Sequence, residues 1–277
     1  MGILNVTPDS FSDGGRYASV DAALQRAGQM IEEGAAILDI GGESTRPRGK
    51  AYGAGAATVS AEEEIERTVP VVEAITRHLP HAIVSIDTYK GEVARAALRA
   101  GAHIVNDVTG LRHGIGTARA AADYGAPLVV MHALGKPGDM PHAHEYEDVV
   151  DEVAMSLADS VRAARNAGVE HVVIDPGFGF GKSVEGNLQL IAELDRYAAL
   201  GRPVLVGISR KSTVGAVLGS QDEPVPVGER LYGSLGLTAL AVMKGASIVR
   251  THDVRPTVEL LKVLSAAKGV ALREAAT

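Results

Sequence analysis

"HVVIDPGFGFGKS", residues 171–183, joins a short apolar run to a glycine-rich turn, and its reading decides the fold. Its end, Gly181-Lys182-Ser183, imitates a nucleotide P-loop. That motif needs G-x-x-x-x-G-K-[ST], so that open glycine backbone can cradle phosphate. The place of its first glycine is held by Pro176. Proline has no N–H and does not reach positive φ, so the P-loop reading fails where the mechanism needs glycine. What remains is an apolar strand that ends on a carboxylate, Asp175.

The same unit recurs along the chain. Strands are predicted near 2–5 (GILN), 36–41 (AILDIG), 82–87 (AIVSID), 103–107 (HIVND), 127–132 (PLVVMH), 171–175 (HVVID), 203–208 (PVLVGI) and 246–251 (ASIVRT). They are continuous apolar runs, as strands covered on both faces should be. Helical periodicity fills the gaps. Val20, Leu24, Ala27 and Ile31 share a face over 19–33, as core-facing positions do. Ser60 and Glu63 form a capping box before the next helix, which Pro70 is expected to kink. Residues 147–167 and 256–267 are further amphipathic helices. Eight strand–helix repeats predict an α/β fold, a (β/α)8 TIM barrel, with 1–277 as its single domain. An open doubly wound sheet is the alternative, because periodicity does not show closure.

Composition narrows the function. The net charge is −7, with no Lys/Arg-rich run, which argues against nucleic acid or anionic membrane as partner. No apolar run reaches the roughly 20 residues of a membrane span, and "MGILNVTPDSFS" has no signal-peptide pattern. Cysteine is absent, which removes thiol chemistry and suits a reducing cytoplasm.

Barrel active sites form at the carboxyl ends of the strands, and the polar residues gather there. The ends carry Asn5, Thr7 and Asp9; Glu43 to Arg46; Asp87 and Thr88; Asn106 and Asp107; Met131 and His132; Asp175; Ser209 to Ser212; and Arg250 to Asp253. All three phenylalanines, Phe11, Phe178 and Phe180, fall in loops after strands. They either face a planar ligand or close the barrel against its own loops. Asp87 and Asp175 are helix N-caps if taken singly. Together with Asn106 and Lys211 they make a donor–acceptor set for a heterocycle. Arg250 and His252 suit an anion; a structural Arg250–Asp253 pair is the alternative. His78, His81, His103, His113 and His171 are expected to be solvated, and His142 and His144 form a weak metal pattern.

Taken in order, "MGILNVTPDSFSDGG", "ILDIGGESTRP", "VSIDT", "VNDV", "MH", "DPGFGFGK", "GISRKS" and "IVRTHDV" closely resemble the dihydropteroate synthase family. The resemblance runs from Met1 to Asp253 and touches every predicted strand. It implies a barrel, a homodimer in the cytoplasm and a transferase with Mg2+. The implied reaction joins 6-hydroxymethyl-7,8-dihydropterin diphosphate to p-aminobenzoate, which sulfonamides displace. It further implies that Asp87, Asn106, Met131, Asp175 and Lys211 hold pterin, and that Asn5, Arg250 and His252 hold the diphosphate, with Asn5 beside the metal. Phe11, Thr45, Pro47, Phe180, Lys211 and Ser212 would surround p-aminobenzoate. Catalysis would rest on Asp9, Arg46, Lys211, Arg250 and His252. Three departures stand out: a longer stretch at 47–59, Thr213 in place of the family's usual aromatic, and an altered fifth loop, "MHALGKPGDMPHAHEY". They leave a pterin-binding paralogue without synthase activity, or a folate-dependent methyltransferase-type barrel, as alternatives.

Overall fold

The computed structural model describes residues 1–6, 15–43, 59–134 and 144–274. The strands are β1 (Gly2–Asn5), β2 (Ile37–Gly41), β3 (Ile83–Asp87), β4 (Ile104–Asp107), β5 (Leu128–Met131), β6 (Val172–Asp175), β7 (Val204–Val206) and β8 (Ala246–Val249). They pair in parallel in sequence order from β1 to β8. The chain beyond β8 then closes the circle: Ile3 donates to the Thr251 carbonyl at 3.0 Å, and Thr251 donates to the Met1 carbonyl at 2.9 Å. Closure excludes the open doubly wound alternative.

The helices are α1 (Gly15–Glu32), α2 (Ala61–His78), α3 (Gly91–Arg99), α4 (Gly116–Tyr124), α5 (Val149–Asn166), α6 (Val184–Ala192), α7 (Ser212–Leu218), α8 (Leu231–Met243) and α9 (Val254–Glu274). Ser60 caps α2 as expected, its Oγ accepting from the Glu63 N–H at 3.1 Å, a contact of about 1 kcal/mol. Pro70 lies inside α2, which spans it as one helix. Asp148 caps α5, so that helix starts slightly later than its periodicity suggested.

Period-two alternation divides each strand between two environments. Leu38, Ile40, Val84, Ile86 and Val105 are fully buried and belong to one apolar core with Ala23 and Ala27 of α1, Val71, Val72 and Ile75 of α2, and Val93 and Ala97 of α3. The alternate positions, Asp39, Ser85, Asp87 and Asn106, turn the other way and are buried too. The apolar core therefore lies between strands and helices, while the upper barrel interior is polar. Parallel register raises Asp87 level with both Gly41 and Asn106, which starts the site.

Candidate active site

Four polar side chains meet inside the barrel. Arg250 Nε donates to Asp39 Oδ2 at 2.6 Å, and its Nη2 donates to Asp87 Oδ2 at 2.6 Å. Asn106 Nδ2 donates to the same Asp39 oxygen at 3.0 Å. Burial pushes the Asp87 carboxyl up to about 7 against the pull of Arg250. The two carboxylates hold Arg250 firmly protonated despite its own burial. Asp87 is no helix cap, since Lys90 occupies that place before α3. Nor does Arg250 pair with Asp253, which binds Arg210 Nε at 3.0 Å instead. Asp39 was missed among the candidates. The signal was a lone acid in the middle of the apolar run "AILDIG".

A second group gathers on the loop after β6. Asp175 Oδ1 accepts from the Gly177 N–H at 2.7 Å, a turn that ends the strand. Lys211 Nζ donates to the Phe178 carbonyl and lies 4.0 Å from the centre of the Phe180 ring. Burial lowers the Lys211 ammonium to about 7 although Asp175 pulls the other way; burial likewise raises Asp175 against the pull of Lys211. The phenylalanines separate here. Phe180 packs on Val108, Met131 and Ala133 at the barrel mouth. Phe178 is fully buried in the main core, so for it the structural alternative is the correct one. Lys182 is not solvated: it is 4% exposed and donates to the carbonyls of Gly177 and Phe180, both at 2.9 Å.

The remaining candidates ring this centre. Asn5 Oδ1 and Asp87 face the same open side of Gly41, within 3.6–3.8 Å of where its Cβ would stand. His252 Nδ1 lies 3.2 Å from Ser209 Oγ. Met131 ends β5, and Ser212 opens α7 directly after Lys211. Thr213 offers a hydrogen bond in place of aromatic packing: its Oγ1 accepts from Asn187 Nδ2 at 3.1 Å, while Asn187 Oδ1 accepts from the Gly179 N–H at 2.6 Å. The five histidines expected to be solvated are all exposed. Asp9, Phe11, Thr45, Arg46, Pro47 and His142 lie outside the described residues, as do 47–58 of the long stretch and 135–143 of the fifth loop. Among the described residues no cluster of three or more His, Asp or Glu is placed to hold a metal.

The family model described as "Pterin binding enzyme" matches residues 1–252. A dihydropteroate synthase of Escherichia coli (strain K12) is 46% identical over 268 residues, 96% of this chain and 90% of the relative. Among solved structures, Xanthomonas albilineans dihydropteroate synthase with 4-aminobenzoic acid superposes with TM-score 0.85 at 46% identity, covering 97% of this chain and 92% of that one. The same enzyme in complex with 7,8-dihydropteroate superposes with TM-score 0.82 at 42% identity, over 97% and 92% of the two chains.

Proposed function

Because the chain belongs to the dihydropteroate synthases of the pterin-binding enzyme family, we propose that its barrel mouth joins 6-hydroxymethyl-7,8-dihydropterin diphosphate to p-aminobenzoate. The protein is a transferase that forms 7,8-dihydropteroate and releases pyrophosphate. The observation that carries this reading is the convergence of Asp87, Asn106, Asp175, Lys211 and Arg250 on one polar interior beside the exposed edge of Phe180.

The residue types match what each substrate needs. A pterin offers an amidine-like edge of N–H donors and a ring carbonyl. Asp175 and Asp87 accept from such an edge, Asn106 offers both donor and acceptor, and Lys211 donates to the carbonyl or a ring nitrogen. Arg250 forks onto a diphosphate through guanidinium N–H groups, with His252 and Asn5 near it on the rim. The flat Phe180 ring and Ser212 suit an aryl amine carrying a carboxylate, and Phe11, Thr45 and Pro47 complete that side. The family resemblance gives Asp9 and Arg46 the leaving group.

The chemistry follows. The C–O bond to pyrophosphate breaks first, and its electron pair leaves with the diphosphate. The resulting pterin methylene cation is tolerated by the carboxylates of Asp87 and Asp175. Arg250 and His252 stabilise the departing charge. The neutral aryl nitrogen then forms the new C–N bond and loses its proton to solvent. Magnesium fits as a companion of the diphosphate rather than as an ion caged by protein. Asn5 supplies one hard oxygen at the mouth, and Mg2+ characteristically takes its other ligands from phosphate and water. When bound it neutralises diphosphate charge.

We also place the protein in the cytoplasm as a homodimer. No described helix is long and apolar enough to cross a membrane, cysteine is absent, and α8 exposes Tyr232, Leu240 and Met243. The decisive assay is pyrophosphate release by pure protein with Mg2+. Release is expected only when both substrates are present; folded protein giving none would overturn the reading.

A further inference from the structure

We propose that Lys182 is a positioning residue for the aryl-amine side of the site, fixing from beneath the loop on which Phe180 meets Lys211. The inference rests on the synthase reading only for the name of the substrate.

Lys182 turns back under its own loop. Its ammonium group has three N–H donors and finds three carbonyl acceptors: Gly177 and Phe180 at 2.9 Å and His132 at 3.5 Å. It makes no ion pair among the described residues. Such a buried cation costs stability unless every donor is matched, so its place needs a reason beyond packing. A methionine would fill the same space without drawing three carbonyls together.

The loop carbonyls explain the arrangement. Those of Gly177 and Phe180 turn to Lys182, while the Phe178 carbonyl between them turns to Lys211. Two lysines thus divide three carbonyls of one short turn between them. The glycines allow it. A Cβ on Gly177 would run into the His132 carbonyl oxygen, and a Cβ on Gly179 would stand 2.5 Å from Lys211 Cδ. Both residues have positive φ, 71° and 81°. Phe180 follows directly, and its ring faces the Lys211 ammonium. Removing the Lys182 grip leaves the Gly177 carbonyl with only the Phe180 N–H at 3.1 Å and takes its lysine from the Phe180 carbonyl, which loosens the turn that sets where Phe180 and Lys211 stand. The pterin side loses through Lys211 and through the pull of Lys182 on Asp175, but Asp175 stays anchored by β6 and its own turn and Asp87 and Asn106 are held without Lys182, so that side should feel less.

The test compares Lys182→Met with Lys182→Gln, which keeps two donors on a shorter neutral arm. Steady-state kinetics are expected to show KM for p-aminobenzoate raised about tenfold or more in Lys182→Met, and less in Lys182→Gln. The Kd of pterin diphosphate, by calorimetry, should stay within about threefold. Equal losses for both substrates, or none for either, would overturn the proposal. If Lys182→Met does not fold, Lys182→Gln is judged by the same split. A second readout needs no turnover: the pH dependence of Lys211 acetylation by acetic anhydride, read by mass spectrometry. Lys182 and Lys211 repel each other, so loss of the Lys182 ammonium should move the Lys211 midpoint up; an unmoved midpoint counts against Lys182 acting through Lys211. Wild-type turnover separately decides the synthase reading.

Discussion

Arg250 lies between two carboxylates that do different work. Asp39 is fully buried and takes Nε, while Asp87 takes the guanidinium tip. Asp39→Ala leaves Arg250 buried with one partner fewer and should cost about 3–5 kcal/mol in urea denaturation. A loss below about 1 kcal/mol, the level of an exposed pair, would show that Asp39 does not anchor the arginine. Asp87 supplies a pH dependence. Its folded value is raised from 3.8 to about 7, chiefly by burial. The folded state thus retains a proton that the unfolded state releases, so this stabilising contribution is full below about pH 4 and is lost as pH rises through about 7. Pterin binding runs the other way, because the ionised carboxylate is the better acceptor of N–H bonds. Lys211 gives up its proton over the same range, so the Asp87 contribution is read as the difference between wild type and Asp87→Asn in pterin affinity by calorimetry, a difference that should grow through about pH 7; pH profiles of the same shape in the two proteins would remove Asp87 from the ligand. These strand-end residues were legible in the sequence because strand ends mark the mouth of a barrel. Asp39 was not, because a mid-strand residue declares its face only once closure is known.

At the scale of elements, the loop between β6 and α6 is the least tolerant segment of the site. Gly177 combines φ of 71° with a backbone oxygen where a side chain would stand. Gly177→Ala should destabilise the fold by on the order of 3 kcal/mol and weaken p-aminobenzoate binding with it. Thermal unfolding unchanged by the substitution would mean that the turn has room to relax. Strand and helix order could be read from apolar periodicity, and the β6 loop could be separated from a P-loop by Pro176 alone. Its internal arrangement could not. Phe178 and Phe180 are two residues apart in a glycine-rich turn, and only the observed path sends one into the core and keeps the other at the mouth. The place of Lys182 was open in the sequence for the same reason: its three acceptors are backbone carbonyls, which carry no sequence signature. Pro70 does not end its helix, because α2 continues through it. The packing of Val71, Val72 and Ile75 against the sheet outweighs one missing N–H.

The molecule as a whole closes on itself through backbone pairing between Met1, Ile3 and Thr251, so the barrel needs no partner to complete its sheet. Its outer surface does call for one. In α8 the inward side carries Ser234, Thr238 and Ala241, with Leu237 and Val242 packed on the core, while Tyr232, Leu240 and Met243 are exposed at 83%, 38% and 66%. Ser234 accepts from the Arg210 N–H at 3.1 Å, and Thr238 Oγ1 donates to the Ser234 carbonyl at 2.7 Å, which accounts for the two buried hydroxyls on the inner side. Among the described residues nothing covers the outer one. Tyr232, Gly236, Leu240 and Met243 follow helical spacing along one stripe, and Gly236 has open space beside it, so a second backbone can approach closely. Val263 of α9, 68% exposed, adds to the exposed apolar surface of the last two helices. A soluble monomer rarely leaves such a stripe uncovered, and a two-fold axis would cover it with its own copy. Sedimentation equilibrium should therefore give twice the 28.7 kDa chain mass for the wild type and the single mass for Tyr232→Glu/Met243→Glu. Buried carboxylates at such an interface would each cost several kcal/mol, enough to separate the protomers at micromolar concentration. A wild-type chain that sediments as a monomer, or a double variant that stays dimeric, would move the interface elsewhere or remove it.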